Sequence, residues 1–110
     1  MVYYNDQQIS QIFFALSDPT RRAMLLRLAD EDMSVADLSR PFKVSKSAIT
    51  KHLKVLENAG LLDRMIVGRV HRCRLKPKPL AAVSEWLSFY EKFWNNKLDA
   101  LDAYLTEEAK

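Results

Sequence analysis

The 110-residue chain has little of several residue types, and each scarcity excludes a class of protein. A single cysteine, Cys73, excludes an intramolecular disulfide and is typical of a reducing compartment. Two glycines and an apolar fraction of 48% exclude a disordered chain and favour a mostly helical globular one. No apolar run approaches the roughly 20 residues of a membrane span, and the opening MVYYNDQQ lacks the pattern of a secretory signal. We therefore expect a soluble cytoplasmic protein of one domain, residues 1–110, with no membrane partner.

Positive charge is concentrated in the middle of the chain, although the net charge is only +3. Residues 34–79 contain eleven basic and three acidic residues, which gives a net charge of +8. The flanking segments, residues 1–33 and 80–110, carry net charges of −2 and −3. A basic middle between acidic ends is typical of a surface that binds a polyanion such as nucleic acid.

The rest of the chain is organised around residues 34–58, SVADLSRPFKVSKSAITKHLKVLEN, which predict two short helices joined by a tight turn. Ser34 and Ser45 are helix-capping residues, and Pro41 cannot continue the first helix. The second helix has one apolar and one polar, basic face. These faces contain Ile49, Leu53 and Leu56 on one side, and Ser47, Lys51, Lys54 and Asn58, with Thr50 at the edge, on the other. An ordinary surface helix can have the same pattern, but the basic middle of the chain favours a helix that binds the DNA major groove.

Two short strands are predicted after the second helix. Residues 61–66 and 70–75 flank a turn at Val67-Gly68-Arg69, which indicates a β-hairpin with glycine at its turn. We expect one face of the second strand to pack on the helices. The other face, with Arg72 and Arg74, should remain free, as should Arg69 at the tip. A basic hairpin in this position is a wing, whose tip can reach the minor groove or the phosphates.

Two further helices are predicted before this stretch, from Asp6 to Leu16 and from Pro19 to Ala29. Arg21 and Arg22 lie in the first turn of the second of these helices, where the helix dipole disfavours positive charge. We therefore expect an outside partner for both arginines. Acidic residues of a neighbouring element are the commoner partner, and DNA phosphate is the alternative.

A long helix is predicted for residues 80–106, after the stiff segment Lys76-Pro77-Lys78-Pro79. It has an apolar stripe that repeats every seven residues and a second, aromatic stripe on a neighbouring face, which together exceed what a small core can cover. Both stripes could pack within the protomer, or the aromatic residues could bind a small ligand. We favour a third arrangement, in which one stripe packs within the protomer and the other packs against a symmetry-related copy. The residues predicted at this dimer interface are Trp86, Leu87, Tyr90, Trp94, Leu98 and Leu101.

The segments ALSDPTRRAMLLRLA, DLSRPFKVSKSAITKHLKVLENAGLL and HRCRL resemble the ArsR family of winged-helix repressors. The resemblance extends from about Ile9 to Leu105. It implies a mainly α winged helix-turn-helix fold with a two-stranded β-hairpin wing and a long C-terminal dimerisation helix. It also implies a homodimer that binds a palindromic operator in double-stranded DNA and represses transcription until an unidentified inducer releases it. His52 is expected to pack or to contact phosphate rather than to read bases. The predicted DNA-binding residues are Lys46, Ser47, Thr50, Lys51, Lys54, Arg69 and Arg72.

The ligands of the family's metal sensors are missing from this sequence. Metal-sensing members have a Cys-x-Cys pair at the positions of Ser34 and Ala36, or His and acidic ligands on the terminal helix, which here contains no His or Cys. Cys73, His52 and His71 do not form a recognisable set of ligands for a soft metal. We therefore expect a metal-independent member of the family that needs no cofactor.

Two other classes of function remain open at this stage. A winged helix that serves only as a protein–protein interaction module would leave the basic middle unexplained, although fold alone does not fix function. An enzyme is less well supported, because no nucleophile–base spacing, glycine-rich phosphate loop or set of metal ligands is present. Retention on DNA at moderate salt would separate DNA binding from the first alternative, and a catalytic assay would test the second.

Overall fold

The computed structural model describes residues 4–108, which form five helices and one small antiparallel sheet. The sheet has the strand order β1-β3-β2. This arrangement is the mainly helical winged helix-turn-helix that the sequence predicts, with a long C-terminal helix. The elements in chain order are α1 (Asp6–Leu16), α2 (Pro19–Asp30), β1 (Met33–Ser34), α3 (Val35–Ser39), α4 (Lys46–Asn58), β2 (Leu62–Val67), β3 (Val70–Leu75) and α5 (Lys78–Glu108).

Short polar side chains fix the starts of the first four helices. The residue before each helix accepts a hydrogen bond from the backbone N–H three residues later. These bonds satisfy N–H groups that the first turn leaves without partners, and each contributes about 1 kcal/mol. The capping predicted from the sequence at Ser34 and Ser45 is therefore confirmed for α3 and α4. The capping residues are Asn5, Asp18, Ser34 and Ser45.

The core lies where α1 to α4 meet the base of the wing and the start of α5. α4 contributes its apolar face, so its opposite face is left at the surface. The apolar residues at the centre of this core, each at most 3% exposed, include Ile12, Met24, Leu28, Leu38, Leu53, Leu56, Leu61 and Cys73.

A third strand, missed from the sequence, ties the wing to the segment between α2 and α3. β1 pairs antiparallel with β3, with Met33 opposite Cys73 and Ser34 opposite Arg72. Two residues are too few to show the alternation by which strands are recognised, so the sequence predicted two strands instead of three. The pairing fixes the base of the wing beside α3.

The hairpin of β2 and β3 closes through the two-residue loop Gly68-Arg69, because Val67 lies opposite Val70. Gly68 has a φ of +64°, and Arg69 does not have a positive φ, which is the combination of a type II′ turn. A Cβ atom at Gly68 would meet nothing within 4 Å, so glycine is required there for its backbone conformation and not for space. The predicted glycine turn is confirmed.

The terminal helix α5 projects from the core. Leu80 is half-buried and Val83 is buried, whereas residues 84–107 are all exposed. The described residues accordingly extend 67 Å along the longest axis and 32 and 22 Å along the others. Beyond Val83 the helix still meets the core at Trp86, whose ring packs edge-on against Phe13 of α1 at 5.4 Å between centroids. The expectation that one entire stripe packs within the protomer is therefore wrong, because the core ends after the first two turns of α5.

Candidate nucleic-acid interface

The exposed face of α4 is polar and basic along its whole length. Ile49, Leu53 and Leu56 of the opposite face are 7%, 1% and 0% exposed, so docking on the core fixes which side faces outward. The helix can therefore enter a major groove without exposing the core. The structure places all the predicted α4 contacts on the exposed face, namely Lys46, Ser47, Thr50, Lys51 and Lys54.

The two hydroxyl side chains on this face have local hydrogen-bond partners. The Thr50 hydroxyl donates to the Lys46 carbonyl oxygen at 3.0 Å. The Ser47 hydroxyl lies 3.2 Å from the hydroxyl of Ser45, the residue that caps α4. Because the Thr50 hydrogen is already used, its outward side presents a methyl group and acceptor lone pairs. These groups match the methyl of thymine and the amino groups of adenine and cytosine.

The single acidic residue of α4, Glu57, is paired and does not offset the lysines. Its carboxylate forms an ion pair with the Arg64 guanidinium, which joins the end of α4 to β2. Both side chains are partly buried in this ion pair, so Arg64 is occupied by a structural contact. The basic surface therefore consists of the lysines of α4 and the tip of the wing.

Arg69 is exposed in the wing loop, as predicted, but the two arginines of β3 have partners. Arg74 forms an ion pair with Asp63 at 3.0 Å, because these two residues lie opposite each other on the hairpin. Arg72 donates from Nη2 to the Asp32 carbonyl oxygen at 3.3 Å, because β1 brings that carbonyl beside β3. The expectation that both remain free is wrong. Arg72 has further donors, and its contact with DNA stays a prediction.

Arg21 and Arg22 form no ion pair with an acidic side chain within residues 4–108, and their partners lie on α1. Arg21 donates from Nε to the Ala15 carbonyl oxygen at 2.7 Å and from Nη2 to that of Phe14 at 2.8 Å. Arg22 donates from Nη1 to the Leu16 carbonyl oxygen at 2.7 Å. These carbonyls end α1, where they lack helical partners and form the negative end of its dipole. The expectation of an acidic partner is therefore wrong, because the end of one helix binds the cations at the start of the next. A phosphate contact of exposed Arg22 stays a prediction.

His52 lies on the inner flank of α4, as the sequence predicts. Its side chain is 18% exposed, its Nδ1 lies 3.3 Å from Arg21 Nη1, and its Nε2 lies 4.0 Å from Asp18 Oδ2. The pKa of Asp18 is lowered, chiefly by the hydrogen bond from the Arg21 backbone N–H and further by the Arg21 charge. Of the two roles expected for His52, the geometry supports packing. The sequence signal that points to the cluster of Asp18, Arg21 and His52 is the positive charge of Arg21 in the first turn of α2.

The remaining candidate ligands do not come together. Within residues 4–108, no group of three or more His, Cys, Asp and Glu side chains could hold a metal ion. Cys73 is buried, and the loss of solvent around it raises the pKa of its thiol, which opposes ionisation and reactivity. In the same part of the chain, no helix is long and apolar enough to cross a membrane.

Comparison with known proteins decides the family. The family model described as "Bacterial regulatory protein, arsR family" matches residues 18–64. The chain is 39% identical over 84 residues to the HTH-type transcriptional regulator Rv2034 of Mycobacterium tuberculosis, which covers 76% of each protein. The chain belongs to the ArsR family. The resemblance predicted from the sequence is thus confirmed.

Other ArsR-related proteins agree with this placement. The transcriptional repressor SdpR of Bacillus subtilis is 39% identical over 55 residues, which are 50% of this chain and 61% of SdpR. A crystal structure of an ArsR family transcriptional regulator superposes with a TM-score of 0.78 at 37% identity, over 86% of this chain and 97% of that chain. This ArsR chain is accordingly a winged helix-turn-helix transcriptional regulator.

Proposed function

We propose that this ArsR-family chain is a cytoplasmic homodimeric repressor that binds a palindromic operator in double-stranded DNA. The observation that carries the proposal is the division of α4 into a buried apolar face and an exposed face of three lysines and two hydroxyl residues. A protein–protein interaction module would have no use for a basic face at this position. The naming of SdpR as a repressor supports repression rather than activation.

Contacts with DNA are divided between α4 and the wing in this proposal. Ser47 and Thr50 reach base edges in the major groove, because they lie in the first two turns of the recognition helix. Lys46, Lys51 and Lys54 contact phosphates, with Lys51 also within reach of a guanine edge. In the wing, Arg69 contacts the backbone or minor groove from the loop. Arg72 adds a weaker phosphate contact, since one of its donors is already used.

Dimerisation is assigned to α5, which the protomer leaves uncovered. Leu87, Tyr90 and Trp94 are 37%, 41% and 41% exposed, and Leu98 and Leu101 are more than half exposed. An exposed apolar stripe of this length is typical of an interaction surface, and in this proposal a second copy covers it. The proposed interface is Trp86, Leu87, Tyr90, Trp94, Leu98 and Leu101. A C2 dimer would present two recognition helices to the two halves of a palindrome.

One proposal on domain organisation and two negative proposals accompany this function. We propose that residues 1–110 act as a single domain, that no metal or other cofactor is needed for DNA binding, and that the protein catalyses no reaction. The absence of a ligand cluster in the described residues and the raised thiol pKa of Cys73 support the last two. Zinc, cadmium or arsenite at stoichiometric levels should leave operator affinity unchanged.

The decisive experiment is selection of bound sequences from a random pool of DNA duplexes. A palindromic consensus with a defined half-site spacing is the expected result, and affinity for it should fall steeply as salt rises, because several counterions are released. Scrambled duplex of equal length is the control. No enrichment, or affinity that does not respond to salt, would refute DNA binding and leave the interaction module as the better function.

A further inference from the structure

Arg21 joins three helices through one buried guanidinium group. The residue is only 8% exposed, and each of its side-chain nitrogens has a partner. Nε and Nη2 donate to carbonyl oxygens at the end of α1, and Nη1 lies 3.3 Å from His52 Nδ1 on α4. A buried cation is costly unless its donors are satisfied, and here the planar fork of arginine satisfies them in directions that lysine cannot reproduce.

The chemistry of this contact fixes the tautomer of His52. Arginine can only donate, so Nδ1 must accept, and in the neutral ring the hydrogen is on Nε2. Nε2 faces Asp18 Oδ2 at 4.0 Å. Asp18 is in turn held by the Arg21 backbone N–H at 3.0 Å. His52 therefore lies beside two groups at the start of α2, of which Arg21 is within hydrogen-bond distance of its ring.

The Arg21–His52 contact lies between α5, the proposed dimerisation helix, and α4, the helix that faces DNA in the proposed function. Phe13 of α1 packs edge-on against Trp86 of α5, with ring planes inclined at 73°. The next two residues of α1 supply the carbonyls that bind Arg21, and Arg21 binds His52. Each link is a direct contact, so α4 is connected by one polar bond to the scaffold that carries α5.

The apolar contacts of α4 give little directional constraint on the rotation of the helix about its own axis. Leu53 and Leu56 hold the helix on the core through apolar packing, which is not directional, and the Glu57–Arg64 ion pair fixes its C-terminal end to β2. A hydrogen bond to an arginine is directional and loses strength steeply when misaligned. The Arg21–His52 bond lies on the flank of α4, where it resists rotation of the helix about its axis.

We propose that the Arg21–His52 bond sets the orientation of α4 on the α1–α5 scaffold and thereby the half-site spacing that the dimer accepts. Arg21 and His52 are positioning residues with no contact to DNA. The inference rests on the proposed dimeric DNA binding. In a dimer, a small rotation of each recognition helix changes the distance and phase between the two helices, while each helix keeps its own base contacts.

Two substitutions at His52 separate the bond from the volume of the ring. His52→Leu keeps an apolar side chain of similar reach and removes the acceptor. His52→Asn places an oxygen close to the position of Nδ1, where it can accept from Arg21. Binding of each variant is measured on the selected palindrome, on versions with one base pair inserted or deleted at its centre, and on an isolated half-site. Thermal unfolding of each variant reports stability separately.

The wild type should discriminate against both altered spacings. His52→Leu should lose about tenfold of that discrimination, the size expected from one hydrogen bond to a charged group, with half-site preference unchanged. His52→Asn should retain the discrimination of the wild type. A purely structural role would lower the unfolding temperature of His52→Leu without changing its spacing preference, and that result would overturn the inference.

The design keeps the inference and the proposed function apart. If the wild type selects no palindrome, both fail. If the wild type discriminates spacing and His52→Leu discriminates equally well, the inference alone fails. Should His52→Leu not fold, His52→Gln replaces it, because its longer side chain carries the polar group past the Nδ1 position. Equal spacing preference in His52→Gln and the wild type would then be the overturning result.

Discussion

At Thr50, a hydrogen bond within the helix decides what the side chain can offer to DNA. The hydroxyl donates to the Lys46 carbonyl oxygen, so only its lone pairs and methyl group face outward. Replacing Thr50 with valine keeps its methyl group and replaces the hydroxyl acceptor with a second methyl. We expect Thr50→Val to lose discrimination at one base pair of the operator, by about 1–3 kcal/mol, while binding to scrambled DNA is unchanged.

Ser47 should behave in the same way at a neighbouring base pair. A larger residue at this exposed position should change which operators are preferred more than how tightly duplex DNA is held. Competition binding against all single-base variants of the operator measures both effects. Lys92→Ala on α5 is the matched control, because Lys92 is far along the chain from the proposed DNA interface on α4. It should change neither site preference nor affinity. A uniform loss of affinity in the Ser47 and Thr50 variants would show that these residues do not read bases.

Asp18 allows a prediction for stability because its role as a cap is defined by one bond. Its carboxylate accepts from the Arg21 backbone N–H at 3.0 Å, and this bond lowers the pKa of the group. A lowered pKa means that ionised Asp18 stabilises the fold above its ordinary value of 3.8 and that this stabilisation is lost as the pH falls through the folded value. Asp18→Ala should therefore cost about 1 kcal/mol at neutral pH.

Urea unfolding of Asp18→Ala and the wild type, compared at pH 7 and at progressively lower pH, tests this sign. The difference in the free energy of unfolding should be fully present at neutral pH and should shrink once the pH falls below 3.8. Asp30→Ala, at the exposed end of the same helix, should stay within about 0.5 kcal/mol of the wild type. A difference between Asp18→Ala and the wild type that grows on acidification would contradict the assignment of Asp18 as an ionised cap.

At the scale of elements, the helices could be predicted because their signals are local. The serine before α4 and the leucines within it are contained in one stretch of sequence, so start, length and buried face follow together. Gly68 marks the hairpin for the same reason, since its positive φ is a property of one residue. Helix α4 and the tip of the wing could thus be predicted from the sequence.

What escaped prediction depends on contacts between distant elements. β1 is only two residues long and exists because β3 lies beside it. Arg21 and Arg22 are placed unfavourably for their own helix, and their partners are the carbonyls of another helix, which the sequence pattern of α2 does not reveal. The pairing of Arg72 with the Asp32 carbonyl likewise follows from β1. In each case, a hydrogen-bonding group finds its partner in another element, so the sequence around that group does not reveal the partner.

The wing gives a prediction that contrasts with those for α4. Arg69 is exposed in a two-residue loop and, unlike Arg72 and Arg74, is placed beyond the paired rows of the hairpin. Arg69→Ala should weaken binding to operator and scrambled duplex by similar factors and lower the salt slope by about one ion. Binding curves at several salt concentrations measure the slope. The assignment of reading to α4 would be reversed if Arg69→Ala changed site preference instead.

At the scale of the whole molecule, most of the length of α5 lies outside the core of the protomer. α5 carries apolar residues from Trp86 to Leu105, and the core covers the helix only as far as Val83. Only a dimer places two recognition helices on one DNA face, so binding to a palindrome depends on the stripe that each protomer leaves uncovered. The proposed function therefore couples specificity to assembly through α5, although the proposed interface lies far from α4.

Trp94 is the residue at which this coupling can be tested. It lies midway between Leu87 and Leu101 on the seven-residue repeat and is 41% exposed in the protomer. A glutamate there would place two like charges in an apolar interface without disturbing the core of either protomer. Trp94→Glu should therefore be a folded monomer of somewhat reduced stability. Its affinity for the full palindrome should fall by about a hundredfold or more, because the two half-sites no longer bind as one unit.

The matched control is Phe89→Glu, which introduces the same charge on the neighbouring stripe, at a position 79% exposed. Phe89→Glu should remain dimeric and keep its affinity for the palindrome. Sedimentation velocity gives the assembly state, and binding to the full palindrome and to a single half-site gives the two affinities. For Trp94→Glu these affinities should converge, since a monomer gains nothing from the second half-site. A folded, monomeric Trp94→Glu that still bound the full palindrome as tightly as the wild type would show that operator recognition does not depend on the α5 interface.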